Sequence, residues 1–445
     1  MKGEKVVPVD KWIINPTKQF INNSSTSGIL LFTSALAAFV LSNSPLAHTY
    51  HHIWEIPLSI SFNGFEIDKT LHHWINDGLM AVFFFVVGLE LKREIIAGEL
   101  REPKKAMLPL VAALGGMFFP ALIYITLNSK GIVNDGWGIP MATDIAFALG
   151  ILYLLGDRVP VSLKIFLTAL AIADDLGAVL VIAFFYTSDI NMVSLLTGAV
   201  FMGVLIFSNL IGVRNTIFYG IIGIGGLWLA FLMSGVHATI AAVLAAFTIP
   251  ADVKMSEAVC TKKLKSLLEQ FKALKPNNVS TITDDQLHVL EEIREVSKKA
   301  MTPLQRLEHR MHPLVAFVVM PIFAFSNAGV TVTGNLMENL FSTVTLGVFA
   351  GLLIGKVLGV SGVVWLLLKL KWAALPEGLN ILHIIGAGFL AAIGFTMSLF
   401  ITDLAFENAI LEMQAKLGIL AASLFASITG YFIVRKACSL SAEKC

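Results

Sequence analysis

Val161-Ser-Leu-Lys-Ile-Phe-Leu-Thr-Ala-Leu-Ala-Ile-Ala-Asp-Asp-Leu-Gly-Ala-Val-Leu-Val-Ile-Ala-Phe-Phe-Tyr186 decides the fold. As an α-helix, rising ~1.5 Å per residue, it is long enough for the ~30 Å hydrocarbon core of a bilayer, which needs about 20 apolar residues. At its centre stand two adjacent carboxylates, Asp174 and Asp175. An ionisable group at that depth costs about 2.5–3.5 kcal/mol on insertion scales, and such groups usually mark ion paths or proton relays.

Outward from this stretch the chain keeps the same character. Of its 445 residues 56% are hydrophobic and only 14% charged. A water-facing globule carries roughly 25% charged residues, so lipid must solvate much of this surface. The formal net charge of +1 excludes a strongly basic nucleic-acid binder. Cys260, Cys438 and Cys445 show no metal-ligand spacing and read as free thiols.

Candidate spans fall at 28–41, 71–91, 106–127, 136–155, 161–186, 192–211, 216–233, a short one at 236–249, 313–332, 343–368, 379–401 and 415–434. The expected fold class is an all-α polytopic membrane protein of twelve transmembrane helices with a small outer β-hairpin. Spans 1–8 occupy 1–250, a charged cytoplasmic insert 251–308, and spans 9–12 occupy 309–445. With both termini placed in the cytoplasm, Lys69, Lys130 and Lys416 are the only basic residues left to the outer segments. The inner ones hold Lys2, Lys5, Lys11, Lys18 and most of the remainder. That asymmetry agrees with the positive-inside rule.

Two segments stand apart. Residues 56–68 alternate apolar and polar around Asn63-Gly64, a type I′ hairpin signal, with a structureless loop as the alternative. In 251–308, Leu264, Leu267, Leu268 and Phe271, and again Leu287, Leu290 and Ile293, recur at helical spacing.

Asp144 and Lys356 join the aspartate pair as ionisable groups inside spans. Adjacent residues on one helix point ~100° apart, so one aspartate can face a cavity and the other a neighbouring helix. Two carboxylates this close cannot both ionise easily in a low-dielectric site, and a proton and a hard cation can then compete for the same oxygens. Sodium fits an oxygen cage, to which Thr143 and unwound carbonyls could add ligands. The plain alternative is that the buried charges pair only to hold the bundle together. Spans 4 and 11 are both interrupted, at Ala142-Thr143-Asp144 and around Gly386, Gly388 and Gly394-Phe395-Thr396. Interrupted spans at corresponding places in two halves point to a transporter site. Each break exposes a positive helix N-terminus and a negative C-terminus, which a carboxylate and an ammonium can offset. Span 10 carries Gly347, Gly351, Gly355 and Gly359, a smooth stripe for close packing. Glu90, Arg93 and Glu94 close span 2, and Glu308, His309 and His312 precede span 9; these are solvated end charges or a pH-responsive network. His237 reads as an interface residue.

Met141-Ala-Thr-Asp-Ile-Ala-Phe-Ala-Leu-Gly150, Ala171-Ile-Ala-Asp-Asp-Leu-Gly-Ala178, Gly351-Leu-Leu-Ile-Gly-Lys356 and Gly394-Phe-Thr-Met-Ser398 resemble signature segments of the NhaA family of bacterial sodium/proton antiporters. Val82-Phe-Phe-Phe-Val-Val-Gly-Leu-Glu-Leu-Lys-Arg-Glu94 and Pro321-Ile-Phe-Ala-Phe-Ser-Asn-Ala-Gly329 match as well. The resemblance implies inverted repeats, with spans 3–5 mirroring 10–12, and broken helices that cross. It implies an electrogenic antiporter of the bacterial inner membrane, a secondary active transporter and no enzyme. Two protons would enter for each sodium or lithium extruded, by alternating access and under pH control, with no cofactor. Asp174 and Asp175 would carry the ions, Asp144 and Lys356 would compensate the half-helix ends, and Lys356 would take part in coupling. Glu90, Arg93, Glu94, Glu308, His309, His312 and His237 would belong to the pH response. Asp77 matches a carboxylate near the start of span 2, and the hairpin would join a homodimer. The 251–308 insert departs from the compact family pattern. A sodium-coupled symporter of a small organic anion is the rival transporter; the aspartate pair would repel its substrate. An intramembrane aspartyl protease or prenyl transferase is the rival enzyme, and it needs carboxylates on separate spans or spaced acidic motifs.

Overall fold

The structure, a computed structural model, describes residues 24–62, 65–187, 190–274, 281–331 and 335–442. The hairpin turn Asn63-Gly64, the N-terminal lysines, Lys444 and Cys445, and with them both termini, lie outside those residues.

Helices dominate because nearly every long run is apolar and helix is the spanning structure that satisfies its own backbone. Among the described residues six helices are long and apolar enough to cross a bilayer, or nine if each of three bent pairs counts as one span. The further runs are Thr216–Leu232, Ala238–Thr248, and Met80–Ala97, which is apolar to Leu89 and charged beyond it.

Of the six unbroken helices Val161–Phe185 is the most buried, with 72% of its apolar window buried; Met192–Leu210, at 17%, runs along the rim. Val200, Phe207 and Leu210 there face outward, as a lipid-bathed helix requires. The run Thr343–Lys369 lies along Pro103–Leu127. The contact is made by the glycine stripe: a Cβ on Gly355 would meet Pro120, and one on Gly351 would meet the Pro120 carbonyl as well as Pro140 of Gly131–Met141. A Cβ on Gly115 would come within 2.5 Å of the Gly359 carbonyl, so the two backbones touch directly. The same run contains two π-helical turns, Gly351–Gly355 and Leu358–Gly362, on either side of Lys356.

Both interrupted spans are broken. Gly131–Met141, a 3₁₀ run, meets Ile145–Leu154 at 42°; Ile381–Ala391 meets Phe395–Ala405 at 43°. The first break follows Pro140, with Ala142 and Asp144 extended. In the second, Gly386 and Gly388 are not part of the break. They lie inside Ile381–Ala391, where a Cβ would meet Val434 and Ser361 respectively, so they are packing glycines. The break itself is Ala392–Gly394.

The hairpin pairs Pro57–Phe62 with Phe65–Thr70, antiparallel, in a register running from Pro57↔Thr70 to Phe62↔Phe65. Trp74 Nε1 donates to the Leu58 carbonyl at 2.9 Å and ties the hairpin to the following helix. In the polar segment, Glu257–Ala273 packs on Asp284–Ala300 through Leu267, Val289 and Val296. The second of these helices starts on a Thr283/Gln286 capping box.

Candidate ion-exchange site

The two helix breaks meet. The Asp144 amide donates to the Ile393 carbonyl at 2.7 Å, and the Thr143 hydroxyl to the Ala391 carbonyl at 2.7 Å. Each segment thus satisfies polar groups that the other leaves open, as unwound backbone away from water must.

Asp144, 1% exposed, caps two helices at once. Oδ1 accepts the Phe147 amide of its own helix at 2.9 Å; Oδ2 accepts the Thr396 amide of the other at 3.1 Å, and the Thr396 hydroxyl as well. One carboxylate therefore faces two positive helix ends. Lys356, also 1% exposed, does the reverse: its Nζ donates to the carbonyl of Met141, the last residue of the 3₁₀ half-helix. The same ammonium reaches Asp174 Oδ2 at 2.6 Å. Its stem passes Gly116, where a Cβ would sit 3.7 Å away. Ser398, on the second half-helix, donates to the Ile139 carbonyl at 2.7 Å.

Asp174 and Asp175 are each 1% exposed. Asp174 Oδ2 is held by Lys356, and Thr143 lies within its reach. Asp174 Oδ1 and both oxygens of Asp175 have no hydrogen-bond partner among the described residues. The charge count is uneven. Helix ends offset Asp144, the ammonium offsets Asp174, and nothing of opposite sign touches Asp175. Burying an ionised carboxylate without a paired partner is costly, and Asp175 is the one of the three aspartates whose oxygens both lack a hydrogen-bond partner among the described residues.

The other expected residues fall into separate groups. Arg93 bridges Glu94 Oε1 (2.9 Å) and Glu308, joining Met80–Ala97 to Pro303–Leu314. Glu90 is half-buried one turn earlier and within electrostatic range of Asp175, Glu308 and Arg93. His309 and His312 are exposed on the Pro303–Leu314 helix. His237 stands well away from them, its Nε2 donating to the Tyr186 carbonyl at 2.7 Å.

Sequence reading missed one network and misplaced one residue. Lys416 is no loop lysine. It is 7% exposed, inside Ala409–Ala442, with Nζ 3.2 Å from Asp403 and 2.6 Å from Glu412. Asp403 also accepts from Asn76 at 2.7 Å, and Asn76 is paired with Asn327. Asp403 lies two residues beyond 401, where the apolar run ends, so hydropathy does not mark it as a buried charge. Phe323 and Phe400, each one turn before a member of this network, pack on each other, and Phe84 packs on Phe400.

Buried carboxylates at the meeting point of two broken helices define a membrane carrier of small cations or protons. The comparisons with known proteins agree. A family described as Na+/H+ antiporter 1 matches residues 18–434. The chain is similar to the Na(+)/H(+) antiporter NhaA of Oleidesulfovibrio alaskensis, 49% identical over 97% of this chain and 96% of that one. It is likewise similar to Na(+)/H(+) antiporter NhaA 1 of Saccharophagus degradans (48%; 96% and 94%) and to NhaA of Sulfurimonas denitrificans (46%; 95% and 96%). The chain belongs to the Na+/H+ antiporter 1 family.

Proposed function

We propose that this chain exchanges sodium or lithium for protons at the Asp174–Asp175 pair, as a secondary active transporter. The carrying observation is Asp175: fully buried, and with no donor on either oxygen among the described residues. With the site open to the cytoplasm, sodium displaces protons from the carboxylates. The half-helices then shift, and external protons displace the sodium. Two protons entering for each sodium make the cycle electrogenic. Lys356 couples to it, because protonating Asp174 releases the ammonium and binding sodium competes with it. Asp144 holds the two half-helices together through the cycle. Thr143 offers an oxygen beside the pair once its bond to Ala391 yields. No finding supports the organic-anion symporter.

The finer architecture belongs to the same proposal: twelve spans, inverted repeats in which spans 3–5 (106–186) mirror spans 10–12 (343–434), the bacterial inner membrane, and both termini in the cytoplasm. The near-equal bends of the two broken pairs, 42° and 43°, support the repeat. The Arg93–Glu94–Glu308 cluster, with Glu90, His309 and His312, sets the pH response, and His237 contributes from the far end. The hairpin joins two copies; Leu58 and Ile60 are about half exposed on one strand, which favours pairing.

Everted vesicles test the exchange directly. Adding sodium should dissipate a preformed pH gradient in the parent. In Asp174→Asn and Asp175→Asn it should not, while both variants still reach the membrane at parental levels. Dissipation that persists in both removes the pair from the site.

A further inference from the structure

We propose that a cavity of about 1040 Å³ between the starts of Pro103–Leu127 and Val161–Phe185 and the end of the run Thr343–Lys369 binds the headgroup and upper acyl chains of an anionic phospholipid. It shares no residue with the exchange site.

The cavity has two chemistries. Its mouth carries Lys104, Lys105 and Lys371 against a single carboxylate, Glu99, a net charge of +2. Lys105 is partly spoken for by Glu102 at 3.1 Å, while Lys104 and Lys371 make no ion pair among the described residues. Its floor is hydrocarbon, from Leu108, Phe166 and Leu368 among others. A cationic mouth over an apolar floor, set between membrane helices at the end where basic residues gather, matches a phosphate ester bearing acyl chains. It does not match a sodium vestibule, because the lysines would repel the cation.

Lys371 is held in place. It has φ +58°, the one non-glycine residue with positive φ among the described residues. Its amide donates to the Leu368 carbonyl at 3.1 Å, and that of Trp372 to Leu367 at 3.0 Å. This is the turn that ends helices, normally with glycine where Lys371 stands. A lysine in that conformation is unusual enough to ask for a reason, and the turn aims it at the cavity. Trp372, 67% exposed beside it, is the kind of aromatic residue that settles at headgroup depth.

Native mass spectrometry of the delipidated full chain tests this with phosphatidylglycerol, phosphatidylcholine of the same acyl chains, and inorganic phosphate. Phosphatidylglycerol should bind at least about tenfold more tightly than phosphatidylcholine. Replacing both lysines, K104Q with K371Q, should weaken it roughly thirtyfold, counting about fivefold per lysine near a headgroup. K371R alone should bind as the parent does, and so should K262Q in the polar segment. Retained sodium/proton exchange shows that each variant is folded; should the double variant fail that check, the single variants K104Q and K371Q, each weakened severalfold, decide instead. Equal binding of the two lipids, or undiminished binding by the lysine variants, overturns the proposal. Displacement of the lipid by millimolar inorganic phosphate also overturns it, since the site would then recognise a free anion.

Discussion

At the residue scale the account turns on which buried charge has a partner. Asp144 accepts the amides of two helices, Lys356 answers a carbonyl and Asp174, and Asp175 has neither a hydrogen-bond donor nor an ion-pair partner among the described residues. Asp144→Ala would strand the Phe147 and Thr396 amides, at about 1–3 kcal/mol each. The purified variant should therefore melt several degrees lower than the parent. Asp144→Asn keeps an acceptor and should melt between the two. An unchanged melting temperature for the alanine variant would show that the double cap carries little of the fold. Asp144, Asp174, Asp175 and Lys356 were legible from sequence, because a charge inside an apolar run is conspicuous. Their division of labour was only partly so. Adjacent positions imply that two side chains diverge, but not that Lys356 sits on Asp174 and leaves Asp175 bare; that depends on the crossing of three distant segments. Asp403 and Lys416 were missed because each lies within a few residues of a span boundary, where hydropathy cannot tell a loop charge from a buried pair.

At the element scale the glycine stripe and the charged helix ends make opposite demands. Gly359 meets the backbone of Gly115, so Gly359→Leu must push two helices apart, an overpacking cost of about 1–3 kcal/mol or more. Gly362 has open space where a Cβ would go, and Gly362→Leu should be tolerated. Folded yield after detergent extraction compares them, and equal losses would refute the close-contact reading. The stripe was readable from its four-residue spacing. The π-helical turns around Lys356 were not, since no residue pattern in that apolar run marks them. Gly386 and Gly388 show the reverse error: glycines suggest a break, but these two admit neighbouring side chains and the helix continues through them. At the charged helix ends, Arg93 and Glu308 form one bridge between two helices. Reversing either charge alone should displace the pH profile of exchange, and swapping both should bring it back toward the parental curve. A double swap no nearer the parent than the single changes would show that the pair is not the unit that responds.

At the scale of the whole molecule, two broken helices meet in the middle of a bundle that also holds long unbroken ones, Pro103–Leu127 and Val161–Phe185 among them. Half-helices can shift against such a frame without unfolding it, and this is the motion that alternating access needs. The hairpin stands outside the frame, joined to it through Trp74 and the Ile56–Leu71 backbone bond. Deleting 57–70 should leave exchange in place and convert a dimer to a monomer in size-exclusion chromatography with light scattering. A dimer that survives the deletion would place the contact elsewhere. The most direct test of the central claim is sodium-, lithium- and potassium-induced dissipation of a pH gradient in everted vesicles, across pH, for the parent and Asp175→Asn. The account predicts a response to sodium and lithium but not potassium in the parent, and none to any of them in the variant. Sodium-dependent dissipation of parental size in Asp175→Asn would contradict it.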